Sequence, residues 1–102
     1  MKKDYNFNYI FVMYDIADED SEVGKNRVNK VFKICKKYLE PFQKSVFKGH
    51  ITPSQIIDLK YELSQVIDEE LDYIAFIKLK NQNAFEEDSL GTPQSKHNSM
   101  FL

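Results

Sequence analysis

Asp15 is the residue most suggestive of chemistry, because it follows directly on the apolar run Tyr9–Tyr14 (YIFVMY). A carboxylate fixed at the end of a strand is the hard oxygen ligand that Mg²⁺-assisted phosphodiester hydrolysis requires. One such group per chain is thin for a metal, since Mg²⁺ keeps several waters and takes one or two carboxylates. A two-fold axis would supply the second from a symmetry mate. On the residues alone the plainer reading is favoured, that Asp15 accepts loop N–H bonds as the chain leaves the strand. Four more acids follow, Asp18, Glu19, Asp20 and Glu22. They either assist a cation or, as favoured here, form a solvated loop beside the positive end of the next helix.

A second candidate is electrostatic. Residues 25–37 contain Lys25, Arg27, Lys30, Lys33, Lys36 and Lys37 and no acid, although the whole chain has a formal net charge of −2. Steering of a polyanion depends on the local field rather than the net charge. Lysines at this spacing act as point charges along a phosphate backbone without reading sequence. Arg27, with its fork of donors, is the best single candidate for a firm phosphate contact, and Lys44 and Lys48 are candidates to extend the patch. The competing reading is a solvated helix face.

These residues need elements to hold them. The run at 9–14 reads as a strand, and because both of its parities are apolar both faces should be covered. Helices can cover only one face in a domain this small, which makes a second copy the economical cover for the other. Gly24 to Leu39 reads as an amphipathic helix ended by Pro41. Val28, Val31, Phe32, Cys35, Tyr38 and Leu39 gather on one side of it, and the lysines on the other. Residues 42–51 read either as one kinked strand or as two short strands around a tight turn. Thr52, Pro53 and Gln55 form an N-cap, a first-turn proline and a capping box. They open a second helix with the stripe Ile56, Leu59, Leu63, Val66 and Ile67. The stretch 68–72 reads as a loop and Tyr73 to Leu79 as a strand. From Lys80 the composition turns polar, a light tail with a candidate short strand at Met100 to Leu102. The order gives an α+β fold, the ferredoxin-like βαββαβ arrangement. It consists of an antiparallel sheet with two helices on one face, dimerising through the other. The domain is expected over 1–80 and the tail over 81–102.

The bulk numbers agree with one domain. The chain has 102 residues, 42% hydrophobic and 29% charged. A single cysteine, Cys35, rules out an internal disulfide and suits a reducing compartment. No secretory signal is visible and the longest apolar run is too short to cross a bilayer, so the expected location is the cytoplasm, without membrane association. Three glycines leave little to build a phosphate cradle. His50 and His97 lack metal-ligand spacing, and Cys35 reads as packing.

Two stretches carry a resemblance: YIFVMYDIADED at 9–20 and QKSVFKGHITPSQ at 43–55, with the Lys/Arg-rich helix between them. Together they resemble the CRISPR-associated protein 2 family, over about residues 8–80. The resemblance implies a ferredoxin-like homodimer that acts in CRISPR spacer acquisition. It would bind double-stranded protospacer DNA and bridge copies of the integrase, CRISPR-associated protein 1. It also implies a Mg²⁺-dependent (or Mn²⁺-dependent) endonuclease acting on RNA or double-stranded DNA. The family's catalytic and metal-binding aspartate falls on Asp15, and its Ser and Phe pattern on Ser45 and Phe47, as supports of the dimer or of the active-site strand. Lys48 departs from the pattern, in which many members carry an acid or an apolar residue. Two rivals from other classes are a toxin-like ribonuclease of the same fold and a non-catalytic ferredoxin-like regulatory module.

Overall fold

The structure is a computed structural model and describes residues 7–92. Six principal elements follow one another: β1 (Tyr9–Asp15), α1 (Glu22–Tyr38), β2 (Glu40–Gln43), β3 (Val46–His50), α2 (Pro53–Ser64) and β4 (Tyr73–Leu79). A short 3₁₀ turn, Gln82–Ala84, comes after β4. The four strands form one antiparallel sheet in the order β2-β3-β1-β4, the ferredoxin-like arrangement. Met100 to Leu102 lies outside the described residues.

The alternation of β1 sorts its side chains between two faces. Ile10, Val12 and Tyr14 enter the core, where they meet Val31 and Cys35 of α1, Phe47 of β3, and Ile56, Leu59 and Leu63 of α2. Both helices therefore cover the same face. Tyr9, Phe11, Met13 and Asp15 take the opposite, outer face.

That outer face is partly covered by the chain itself. Phe85, just past the 3₁₀ turn, packs on Tyr9 and Phe11, with ring centroids 5.6 and 5.0 Å away. Phe42 meets Phe11 edge-on at 5.9 Å. Glu87 pairs with Lys48 at 2.7 Å. The tail thus seals the β1–β3 half of the outer face. Among the described residues nothing covers the β1–β4 half, and Met13 is 37%, Ile77 44% and Tyr73 68% exposed.

Local signals explain most boundaries. Helix α1 begins two residues before Gly24, because the Ser21 side chain accepts the Gly24 N–H and caps it. Helix α2 has the expected capping box of Thr52 and Gln55, with Pro53 in its first turn. Val66 and Ile67 lie beyond its end and reach the core from a turn in which their N–H groups donate to the Leu63 carbonyl. Residues 42–51 resolve into two strands, and the turn between them falls at Lys44–Ser45 rather than at Gly49. Ser45 takes the left-handed conformation, φ 63°. Gly49 sits within β3 opposite Ile10, where the Leu39 side chain would stand 3.2 Å from an added Cβ.

Candidate functional site

Asp15 closes β1 on the outer face, is exposed, and lies opposite Tyr73 of β4 in the ladder. The residue before it is held from two sides. The Ser45 carbonyl accepts the Tyr14 N–H at 3.0 Å. The Phe47 ring stacks on the Tyr14 ring, with centroids 6.3 Å apart and planes inclined by 26°. Phe47 is itself a core residue, 1% exposed, with Phe32 edge-on against it. Ser45 and Phe47 therefore both act on the strand that carries Asp15. Burial, and then the neighbouring Cys35, push the Tyr14 phenol well above its ordinary value. It serves as neutral packing.

Among the described residues no group of three or more His, Cys, Asp or Glu side chains could hold a metal ion. Asp18, Glu19 and Asp20 are exposed in the loop and form no such group with Asp15. The described residues around Asp15 therefore do not make a complete site for a divalent cation within one chain. That donor set fits Mg²⁺ only as half of a shared site, with a second carboxylate from elsewhere and the remaining positions held by water.

The basic residues of α1 separate into two groups. Lys25, Lys30 and Lys33 are exposed on the helix face turned away from the sheet. Lys37 is also exposed but approaches Glu62 of α2 at 2.5 Å. Glu62 also accepts the Tyr38 hydroxyl, so this cluster ties the two helices together. Hydrogen bonds first from Lys37 and then from Tyr38 hold the Glu62 carboxyl below the usual range. Asp15 and these lysines lie on opposite sides of the sheet, so the structure does not bring them into one site. Lys44 is exposed in the β2–β3 turn, whereas Lys48 belongs to the outer face with Glu87 and the Phe42 ring.

Arg27 stands apart from the lysines. Its side chain is largely withdrawn from solvent, its Nε donating to Asp72 at 2.8 Å and its Nη2 to the Ala17 carbonyl at 2.9 Å. Its fork is already engaged with protein oxygens, so a phosphate would have to compete for it.

Asp72 is the residue that the sequence did not disclose. Its side chain is wholly buried, and it accepts from the Ala17 and Asp68 N–H groups as well as from Arg27. Burial alone would raise its pKa. The Asp68 and Ala17 backbone donors, and then Arg27, outweigh that and hold the carboxyl below its ordinary value. Among the four acids of DEELD, nothing marked it. Its position directly before β4, beside the loop that leaves β1, becomes visible only with the β1–β4 register. Cys35 is fully buried, and burial pushes its thiol up to about 12.

Residues 8–87 match the model of the family described as CRISPR associated protein Cas2. A protein of Thermodesulfovibrio yellowstonii named CRISPR-associated endoribonuclease Cas2 3 is 45% identical over 83 residues, covering 81% of this chain and 86% of its own length. The CRISPR-associated endoribonuclease Cas2 of Thermotoga maritima is 33% identical, over 91% of this chain and 99% of its own. The crystal structure of Streptococcus pyogenes Cas2 at pH 6.5 superposes with a TM-score of 0.69 at 38% identity, over 81% of this chain and 99% of that one. With a strand-borne Asp15, a capped second helix and a ferredoxin-like sheet in that order, this chain belongs to the CRISPR-associated Cas2 family.

Proposed function

We propose that this chain works as a homodimer in CRISPR adaptation, binding nucleic acid along α1 and completing a Mg²⁺-dependent phosphodiesterase site with Asp15 from each of two copies. The observation that carries the reading is the position of Asp15, on the half of the outer face that the tail leaves open. A second copy seated on Met13, Tyr73 and Ile77 would cover apolar surface and bring a second carboxylate to the same face. The endoribonuclease names of the relatives support a nuclease, and the exposed lysines support a phosphate track.

In this scheme the Asp15 carboxylates, one from each copy, would hold the cation. Mg²⁺, when bound, supplies charge neutralisation at the phosphoryl oxygens and a water of lowered pKa. Ser45 and Phe47 keep the end of β1 from moving by fixing Tyr14. Lys25, Lys30 and Lys33, on the far side of the sheet, hold the backbone of a duplex without taking part in chemistry. The separation of the two surfaces also suits a scaffold role, in which the dimer bridges integrase subunits on protospacer DNA whether or not it cleaves.

The test is Asp15→Asn in highly purified protein. Mg²⁺-dependent cleavage should fall by about a hundredfold or more, comparable to chelation with EDTA, while the dimer and its affinity for nucleic acid persist. Cleavage at the wild-type rate would refute the catalytic assignment and leave the scaffold role alone.

A further inference from the structure

The chain leaving Asp15 is clamped within two residues. The Ala17 N–H donates to Asp72 Oδ1 at 2.9 Å, and the Ala17 carbonyl accepts from Arg27 Nη2 at 2.9 Å. Arg27 Nε closes the ring by donating to Asp72 Oδ2 at 2.8 Å. That same oxygen accepts the Asp68 N–H at 2.8 Å, tying the ring to the segment before β4. The Asp72 side chain is 0% exposed and that of Arg27 13%.

The next residues are fixed as well. Asp18 adopts the left-handed conformation, φ 53°, and its carbonyl accepts both the N–H and the hydroxyl of Ser21. Gly24 packs so closely beneath that a Cβ there would lie 1.8 Å from the Asp18 carbonyl oxygen. The loop between Asp15 and α1 thus has one path.

Stability alone is a weak reason for such an arrangement. A buried ion pair is commonly no more stabilising than apolar side chains of the same volume. What the ring provides, and apolar packing would not, is direction. It grips the N–H and the carbonyl of a single residue, so that the peptide planes leaving β1 cannot rotate.

We propose that Asp72, acting with Arg27, is a positioning residue for Asp15, setting the exit of β1 so that the carboxylate meets its cation in one geometry. The inference rests on the reading of Asp15 as a cation ligand and deepens it. In the fold, Arg27 would then serve the nuclease centre on the outer face rather than the lysine track on α1.

The experiment uses the full chain and Mn²⁺ as a paramagnetic probe. Line broadening of the Asp15 and Ile16 amides is followed against Mn²⁺ concentration in wild type, Asp72→Asn and Arg27→Lys. The second variant keeps the charge but loses the forked pair of donors that spans Asp72 and the Ala17 carbonyl. Both should need about tenfold more Mn²⁺ for half-broadening, the scale on which partners behind a ligand tune metal affinity. The half-saturating Mg²⁺ for cleavage should rise in parallel, with affinity for nucleic acid in EDTA unchanged. A purely structural role would lower the folded fraction and leave both half-saturation points where they were, which overturns the inference. If Asp72→Asn does not fold, Arg27→Lys decides between the two roles by the same readout. If wild type shows no broadening at Asp15 and Asp15→Asn cleaves normally, the cation reading itself fails and the positioning role falls with it.

Discussion

Asp72 shows how a single buried charge shapes both stability and its pH dependence. Its carboxyl titrates below the ordinary value in the folded chain. Its contribution is therefore fully present above the unfolded carboxylate range and is lost as pH falls through the lower, folded value. Asp72→Asn should cost about 3 kcal/mol at neutral pH, the scale for breaking one side of a buried pair, with the difference from wild type shrinking below about pH 4. Urea unfolding at pH 7 and at acid pH measures both quantities, and an unchanged midpoint at pH 7 would contradict this role for Asp72. Cys35 behaves in the opposite sense, since burial raises its thiol to about 12. The native protein should react with a thiol reagent at pH 8 only on unfolding, which absorbance kinetics with and without denaturant would show. At this scale the sequence placed Asp15 at the end of an apolar strand, where the structure has it, while its role came only from the family resemblance. It was silent on Asp72, and it led Arg27 to be grouped with the lysines. The partner that engages Arg27 is 45 residues away, and a charge pattern along one helix does not reveal it.

Among the elements, α1 is the one whose sequence pattern specified its form and its exposed charge together. Its apolar stripe, with Val31 and Cys35 fully buried, seats it on the sheet and leaves Lys25, Lys30 and Lys33 in solvent. Replacing Lys30 and Lys33 with alanine should reduce the slope of log affinity against log salt for duplex DNA by about 2. Adding Lys37→Ala should change it less, because that ammonium already faces Glu62 at 2.5 Å. A filter-binding titration in which all the variants retain the wild-type slope would remove α1 from the interface. The second helix was equally legible, because a capping box is a local device that needs no tertiary partner. The β2–β3 turn was not. Its left-handed residue is Ser45, whereas the nearby glycine, Gly49, serves the close approach of Leu39. The glycine marked a contact and left the turn unmarked.

At the scale of the molecule, the sheet has one face filled by helices and another divided between its own tail and open apolar surface. The expectation that both faces of β1 need cover follows from its two apolar parities. What periodicity could not supply is that Phe85 and Glu87 cover one half. The Lys48–Glu87 pair alone joins residues 39 apart, the second from a segment whose composition reads as polar. The open half is the one that carries Asp15. Met13→Asp or Ile77→Asp should dissociate the proposed dimer, seen by sedimentation, and abolish Mg²⁺-dependent cleavage with it, while monomeric α1 still binds duplex DNA weakly.

The sharing of one site by two Asp15 residues is the claim on which the proposed chemistry depends most. Subunit mixing tests it directly: wild type and Asp15→Asn are exchanged at equal amounts and the Mg²⁺-dependent cleavage rate is measured. If both carboxylates are required, only dimers of two wild-type chains act, and the rate should fall to about a quarter of that of the wild-type protein at the same total concentration. A rate of about one half would mean that each chain works with its own Asp15, contradicting the shared site.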